Sequence, residues 1–258
     1  MRGPLPTIVQ HYDVIGANYT ARRRADPRIA ASIHSALGDA RRVLNVGAGA
    51  GSYEPQDRLV TAVEPSRVMI EQRPPESAGV VQAIAEALPF QDGAFDAAMA
   101  VLSVHHWRDA ERGLREMRRV ASDRVVLLTW DCERGEDFWL TRDYFPDIAA
   151  WDRQRFPSNH EVIEWLDGAE GIVVPVPFDC VDGFLGAFWG RPEAYLDPAV
   201  HRGMSTFALI EPAVVEAGLQ QLEDDLRSGA WDAKYGELRR LASFDVGYRL
   251  LVARGGSA

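Results

Sequence analysis

Lysine is nearly absent from this 258-residue chain: Lys234 stands alone among 28 basic residues. Acidic residues number 38, so the formal net charge is −10 and the chain lacks the basic surface that a phosphate backbone requires. The one basic cluster, Arg22–Arg24, is short, and nucleic acid is not expected as a partner. Cysteine is as scarce. Cys132 and Cys180 lie far apart, and no Cys/His group has metal-ligand spacing, so no metal is expected and the chain reads as reduced and cytoplasmic. Long apolar runs are missing too. Nothing approaches the ~20 residues of a membrane span, and the N-terminus lacks the apolar stretch of a signal peptide. There is no internal repeat or low-complexity segment. Apolar residues are plentiful at 47%, enough for one large α/β domain or for a core with a cap.

Residues 43–51 read Val-Leu-Asn-Val-Gly-Ala-Gly-Ala-Gly, and the next apolar run, Leu59–Glu64, ends in an acid. A buried strand ending in a glycine loop, then a strand ending in a carboxylate, is the pattern of a nucleoside-binding Rossmann half. The glycines let backbone approach a ligand, and the acid can accept from both ribose hydroxyls. A dinucleotide fingerprint needs a third glycine where Ser52 stands, and no lysine follows as a phosphate loop requires. The loop therefore suits a nucleoside without a pyrophosphate, with S-adenosyl-L-methionine (SAM) the leading cofactor.

Four consecutive blocks extend this pattern: VLNVGAGAG (43–51), AVEPSRVMI (62–70), AEALPFQDGAFDAAMAV (85–101) and LSVHHWRDAERGLREMRRV (102–120). In order and spacing they resemble the class I SAM-dependent methyltransferases, in the small-molecule branch that includes ubiquinone-type C-methyltransferases. The resemblance implies SAM binding and methyl transfer without naming the acceptor; the leading reading is a small, aromatic or apolar acceptor in specialised metabolism. It also implies site residues. Gly47, Ala48 and Gly49 would lie against the methionine part of SAM, Glu64 would take the ribose diol, and Pro65 and Ser66 would border the adenine. Met69 either covers an adenine face or belongs to the core. Relatives carry an Asp where this chain has Ile84, so adenine recognition falls to backbone near Ala85. Glu86 either accepts a ligand hydrogen bond or is a helix-capping or solvent-facing acid. The segment Tyr12–Arg24 resembles a lid, with Tyr12 toward substrate, Tyr19 toward cofactor and Arg23 pairing the methionine carboxylate. Leu102–Trp107 forms the tip facing the transferred methyl. There His106 is the candidate base, with His105 next, since a neutral imidazole suits that task near neutrality. Trp107 and Trp130 are candidate substrate walls.

The apolar periods predict helices over 8–20, 27–37, 66–72 and 109–121. They predict strands over 42–47, 59–64, 79–83, 94–101, 124–130, 172–177 and 246–253. The expected fold is α/β: a Rossmann-like, doubly wound seven-stranded sheet with N-terminal helices and a helical cap before the last strand. Only Ser52–Arg58 separate Gly51 from the second strand, so the usual crossover helix must shrink to a turn or two, interrupted at Pro55. Residues 1–182 with 244–258 are read as the core. Residues 183–243, rich in aromatics, are read as the cap, with Phe188 and Trp189 offered to the substrate. The alternative is a structural extension on the sheet edge. A second functional reading is a SAM-binding protein without methyl transfer, a regulator or a cyclase. A nicotinamide oxidoreductase would need a hydride-site pair that is absent.

Overall fold

The computed structural model describes residues 24–201, 204, 206–207 and 210–255. Tyr12, Tyr19 and Arg23, with the helix expected over 8–20, lie outside the described residues. Strands that are apolar along their length need cover on both faces. Five parallel strands begin the sheet: β1 (Arg42–Val46), β2 (Leu59–Val63), β3 (Gly79–Val81), β4 (Phe95–Val101) and β5 (Ala121–Trp130). They are joined by β6 (Glu170–Val173), while β7 (Val176–Pro177) pairs with β8 (Ser243–Phe244) in a separate ribbon. The last strand, β9 (Tyr248–Arg254), runs antiparallel between β5 and β6. The order is β3-β2-β1-β4-β5-β9-β6, which reverses direction between β1 and β4. That switch point opens a crevice outside the carboxyl ends of the strands. The single strand expected over 172–177 is split, because Pro175 has no N–H to give a ladder.

Alternation along the strands separates two packed faces. Leu44, Val46, Ala98, Ala100, Val125 and Leu127 pack with Leu114, Met117 and Val120 on one side. Val43, Ala97, Met99, Val126 and Leu128 pack with Ile29 and Ile33 on the other. Helix α1 (Pro27–Ala36) enters through Asp26, whose side chain caps the Arg28 amide, and Pro27 is preset for a first turn. Ser66 caps α2 (Arg67–Glu71), and Asp109 caps α3 (Ala110–Val120) in the same way.

No helix forms between β1 and β2, which goes further than the shortening expected. Two side chains hold this bare crossover instead. Tyr53, at φ +68°, buries its ring and donates its hydroxyl to Asp182 at 2.7 Å, while its carbonyl meets His34 Nε2 at 3.0 Å. Glu54 forms a buried ion pair with Arg73 at 2.8 Å, the two side chains 3% and 4% exposed.

After β5 the chain is helical in a region the sequence periods did not reveal: α4 (Cys132–Gly135), a wide turn over Leu140–Tyr144, α5 (Pro146–Arg155) and α6 (Asn159–Trp165). Later come α7 (Pro198–His201), α8 (Pro212–Ser228) and α9 (Ala230–Tyr235). The two stretches meet at Trp139. Its ring stands edge-on to Trp231 at 5.3 Å, Tyr195 at 5.6 Å and Tyr144 at 5.8 Å, and its Nε1 donates to the Trp189 carbonyl at 2.8 Å. Residues 183–243 therefore share a core with 138–145 and with one sheet face.

Candidate active site

The glycine loop is strained backbone that glycine relieves. Gly47, Gly49 and Gly51 have φ of +67°, +51° and +92°. A Cβ on Gly47 would stand 2.7 Å from Ser103 Cβ and Oγ and 3.4 Å from Trp107 Nε1. Glycine thus lets the tip of β1 touch the tip of β4, and Ser103 Oγ fastens the contact by donating to the Val46 carbonyl at 3.1 Å. Ala48 is buried and donates to the Val63 carbonyl at 3.0 Å, tying the loop to β2.

Glu64 closes β2 beneath this loop. Its Oε2 accepts from the Gly49 amide at 2.8 Å and its Oε1 from the Ser66 amide at 2.9 Å. Burial raises its pKa; the two amides and the Arg73 charge oppose that rise. A carboxylate has about four lone-pair directions, so two remain for further donors. Pro65 is half-buried and accepts from Gln82 at 3.1 Å. Buried Met69 reaches within 3.4 Å of the point where a Gly49 Cβ would lie, so it borders the loop while belonging to the core.

Sequence reasoning missed the pair under the loop. Arg73 donates through NH1 to the Gly49 carbonyl at 3.1 Å and through NH2 to Glu54 and to the Ala78 carbonyl. Asn45 completes the set by donating to Glu54 at 3.1 Å. The loop conformation is thereby held by buried charge where a crossover helix would ordinarily hold it.

At the tip of β4, Leu102 takes φ +49°, uncommon for a residue with a Cβ, and donates to the Leu128 carbonyl at 2.8 Å. Such outliers gather at functional sites. The chain then makes a single turn over Val104–His106. Arg155 of α5 lies 3.0 Å from His106 Nδ1. A guanidinium only donates, so Nδ1 is the acceptor and the neutral ring carries its proton on Nε2. In this arrangement Arg155 orients the His106 ring at the tip of β4. His105 stacks on Phe156 at 4.0 Å. Trp130 at the tip of β5 stands edge-on to Phe156 at 6.0 Å and stacks on Tyr248 at 6.2 Å. Its Nε1 donates to the Val246 carbonyl at 2.8 Å, and Gly135 and Gly247 lie against its ring. His105, Phe156, Trp130 and Tyr248 thus form one aromatic wall.

Other expected residues have visible structural work. Glu86 Oε1 accepts from the Arg108 amide at 2.7 Å and the Asp109 amide at 3.1 Å, which is helix capping at the entry to α3. Ala85 is buried against Gly113, and the Trp107 ring lies over that same glycine. Phe188 stands edge-on to Tyr195 at 5.7 Å under the Arg191 guanidinium. Trp189, offered to the substrate by the sequence, is packed in this structure. It is fully buried and donates to the Val176 carbonyl at 3.0 Å against the β7–β8 ribbon. Burial holds both cysteine thiols up at about 12, so neither is a nucleophile near neutrality. Among the described residues no group of three or more His, Cys, Asp or Glu is placed to hold a metal, and no helix is long and apolar enough to cross a membrane.

Residues 44–129 match a family model described as a methyltransferase domain. The chain is similar over 90% of its length to a crystal structure from Anabaena variabilis ATCC 29413, described as a methyltransferase from an antibiotic biosynthesis pathway. The two are 36% identical with a TM-score of 0.83, and the match covers 98% of that chain. This chain belongs to the SAM-dependent methyltransferase family. It is also 29% identical over 178 residues to the 2-methyl-6-phytyl-1,4-hydroquinone methyltransferase 2 of Oryza sativa, covering 63% of this chain and 47% of that enzyme. The chain spans about half the length of the curated relatives it matches. The fold is shared with a geranyl diphosphate C-methyltransferase from Streptomyces coelicolor A3(2), at 15% identity and a TM-score of 0.51 over 88% of this chain and 78% of that one. SAM is the cofactor of the methyltransferase family. The structure brings the glycine loop, Glu64 and Ser66 together through the Gly49 and Ser66 amides.

Proposed function

We propose that this chain transfers a methyl group from SAM to a small aromatic or apolar acceptor in specialised metabolism. The observation that carries the reading is the contact of the glycine loop with Ser103 and Trp107, which sets a nucleoside cradle beside the aromatic wall. When bound, the sulfonium of SAM supplies an activated methyl group. The chain's task is to align and to exclude water. Glu64 holds the ribose diol, the Gly47–Gly49 backbone lies along the methionine part, and the region of Ser66, Met69 and Ala85 borders the adenine. His105, Phe156 and Trp130 offer flat faces to an aromatic acceptor and to a cationic donor. His106, oriented by Arg155, donates from Nε2. Residues 183–243 act with 131–157 as the acceptor-side layer over the rest of the core formed by 1–182 and 244–258.

The wild-type chain, incubated with methyl-labelled SAM and fractionated small-molecule extracts, is expected to move label into the small-molecule fraction and not into added RNA. Bound but untransferred label across all fractions would favour the binding-only reading.

A further inference from the structure

Six carboxylates are buried among the described residues, and five are engaged. Asp26 pairs with Arg28, Glu54 with Arg73, and Asp182 with the Tyr53 hydroxyl; Glu64 and Glu86 each take two backbone amides. Asp152 is the exception. It is 2% exposed, and its Oδ2 is enclosed with no hydrogen-bond partner. Burying an acid in this way costs stability that an apolar residue on the same helix would not. Groups kept at such a cost gather at functional sites.

Its position supports that reading. Asp152 lies on α5 one turn before Arg155 and Phe156, which contact His106 and His105 at the tip of β4. Its backbone carbonyl accepts from Cys132 Sγ at 3.6 Å, just after the tip of β5. Asp152 therefore sits in the helix turn between the two strand tips that bear the aromatic wall. Resting on the methyl-transfer reading above, we propose that Asp152 is the base of the acceptor site and that the acceptor is a hydroxyl-bearing aromatic molecule. An electron-rich carbon or a neutral amine can lose its proton after transfer. A hydroxyl must lose it as the bond forms, and that need explains a base kept buried. The hydroxyl O–H bond breaks and its proton passes to the Asp152 carboxylate. The oxygen electron pair bonds the methyl carbon as the sulfur–carbon bond breaks, leaving a neutral thioether, a methyl ether and a protonated Asp152. His106 cannot compete for this role while Arg155 donates to its Nδ1.

Burial pushes the Asp152 carboxyl up to about 7, with Arg155 on its own helix opposing the rise. Cys132 faces it from α4, and its thiol is itself pushed up, so it stays neutral beside the acid. His105 and His106 reach the same region through Phe156 and Arg155. The acid is thus ready to change state near neutral pH, as a base should be. A folded-state pKa above the ordinary carboxylate value means that folding loses stability as pH rises through about 7.

The test is calorimetric titration of the full chain, loaded with S-adenosylhomocysteine (SAH), with a panel of phenols, naphthols and hydroquinones at about pH 6 and pH 8, beside Asp152→Asn. Phenolic hydroxyls stay protonated up to about pH 10. Wild-type affinity for the binding members should therefore rise between the two pH values as Asp152 ionises. Asp152→Asn should lose that rise, and its transfer rate with SAM should fall by roughly 10²–10⁴. The variant should also melt higher than wild type at pH 8, with the gap closing toward pH 5. The inference is overturned if no panel member binds the SAH-loaded chain. It is also overturned if the variant keeps wild-type affinity, rate and pH profile, or if it melts lower at both pH values. Failure of wild type to bind SAH at all would instead strike the methyl-transfer reading.

Discussion

Arg73→Met is expected to cost about 3–5 kcal/mol of folding free energy, because it leaves the Glu54 carboxylate buried without its counter-charge. Domains of this kind are stable by only about 5–15 kcal/mol, so the effect is large. Arg73 also donates to the Gly49 carbonyl at 3.1 Å, and without it the loop loses a direct tether. SAH should therefore bind at least about tenfold more weakly, roughly 1.4 kcal/mol. The double variant Arg73→Met/Glu54→Leu should recover much of the stability, because no unpaired charge remains, but little of the affinity. Urea unfolding and SAH titration separate the two effects. Full stability in Arg73→Met would show that the pair does not hold the crossover.

The second large effect belongs to the helical layer. Trp139→Ala is expected to destabilise by about 3–5 kcal/mol, the usual cost of emptying a buried aromatic site. Trp139 is 2% exposed, sits edge-on to four aromatic rings, and satisfies the Trp189 carbonyl. Its removal opens the seam between 138–145 and 189–235 and should weaken acceptor methylation along with thermal stability. Trp139→Phe should lose less, because the ring edge is kept and only the indole N–H is lost. For the same reason excision of 183–243 should unfold the chain. Thermal melts and tryptophan fluorescence check both variants. A Trp139→Ala chain with wild-type melting would show that the two helical stretches are independent.

The sheet was legible because its strands are apolar runs closed by turn residues, and the site's first half was legible because backbone strain demands glycine. Gly47, Gly49 and Glu64 declare themselves in one dimension: a φ above zero needs glycine, and a strand-end acid needs a reason. The helices over 132–165 were not legible. Asp, Arg, Glu and aromatic residues alternate there without an apolar stripe, and the buried face is set by contacts with Tyr195 and Trp231 far along the chain. Arg73, Glu54 and Asp152 were hidden for a related reason. A charged residue in a turn or on a short helix reads as solvated until tertiary contacts bury it. Glu86 was legible only as a choice between two roles, and the amides of Arg108 and Asp109 at the start of α3 now account for its Oε1. His106 needed the same third dimension: Arg155 stands 49 positions away, yet it fixes which ring nitrogen carries the proton.

Calorimetric titration of SAH into wild type and Glu64→Ala tests the central claim most directly. Wild type is predicted to bind SAH and not NADH. Glu64→Ala is predicted to bind SAH more weakly by about 1–3 kcal/mol, the scale for hydrogen bonds lost to a charged group. Equal SAH affinity in the two proteins would contradict the nucleoside cradle drawn from the glycine loop and Glu64, as would NADH binding in place of SAH.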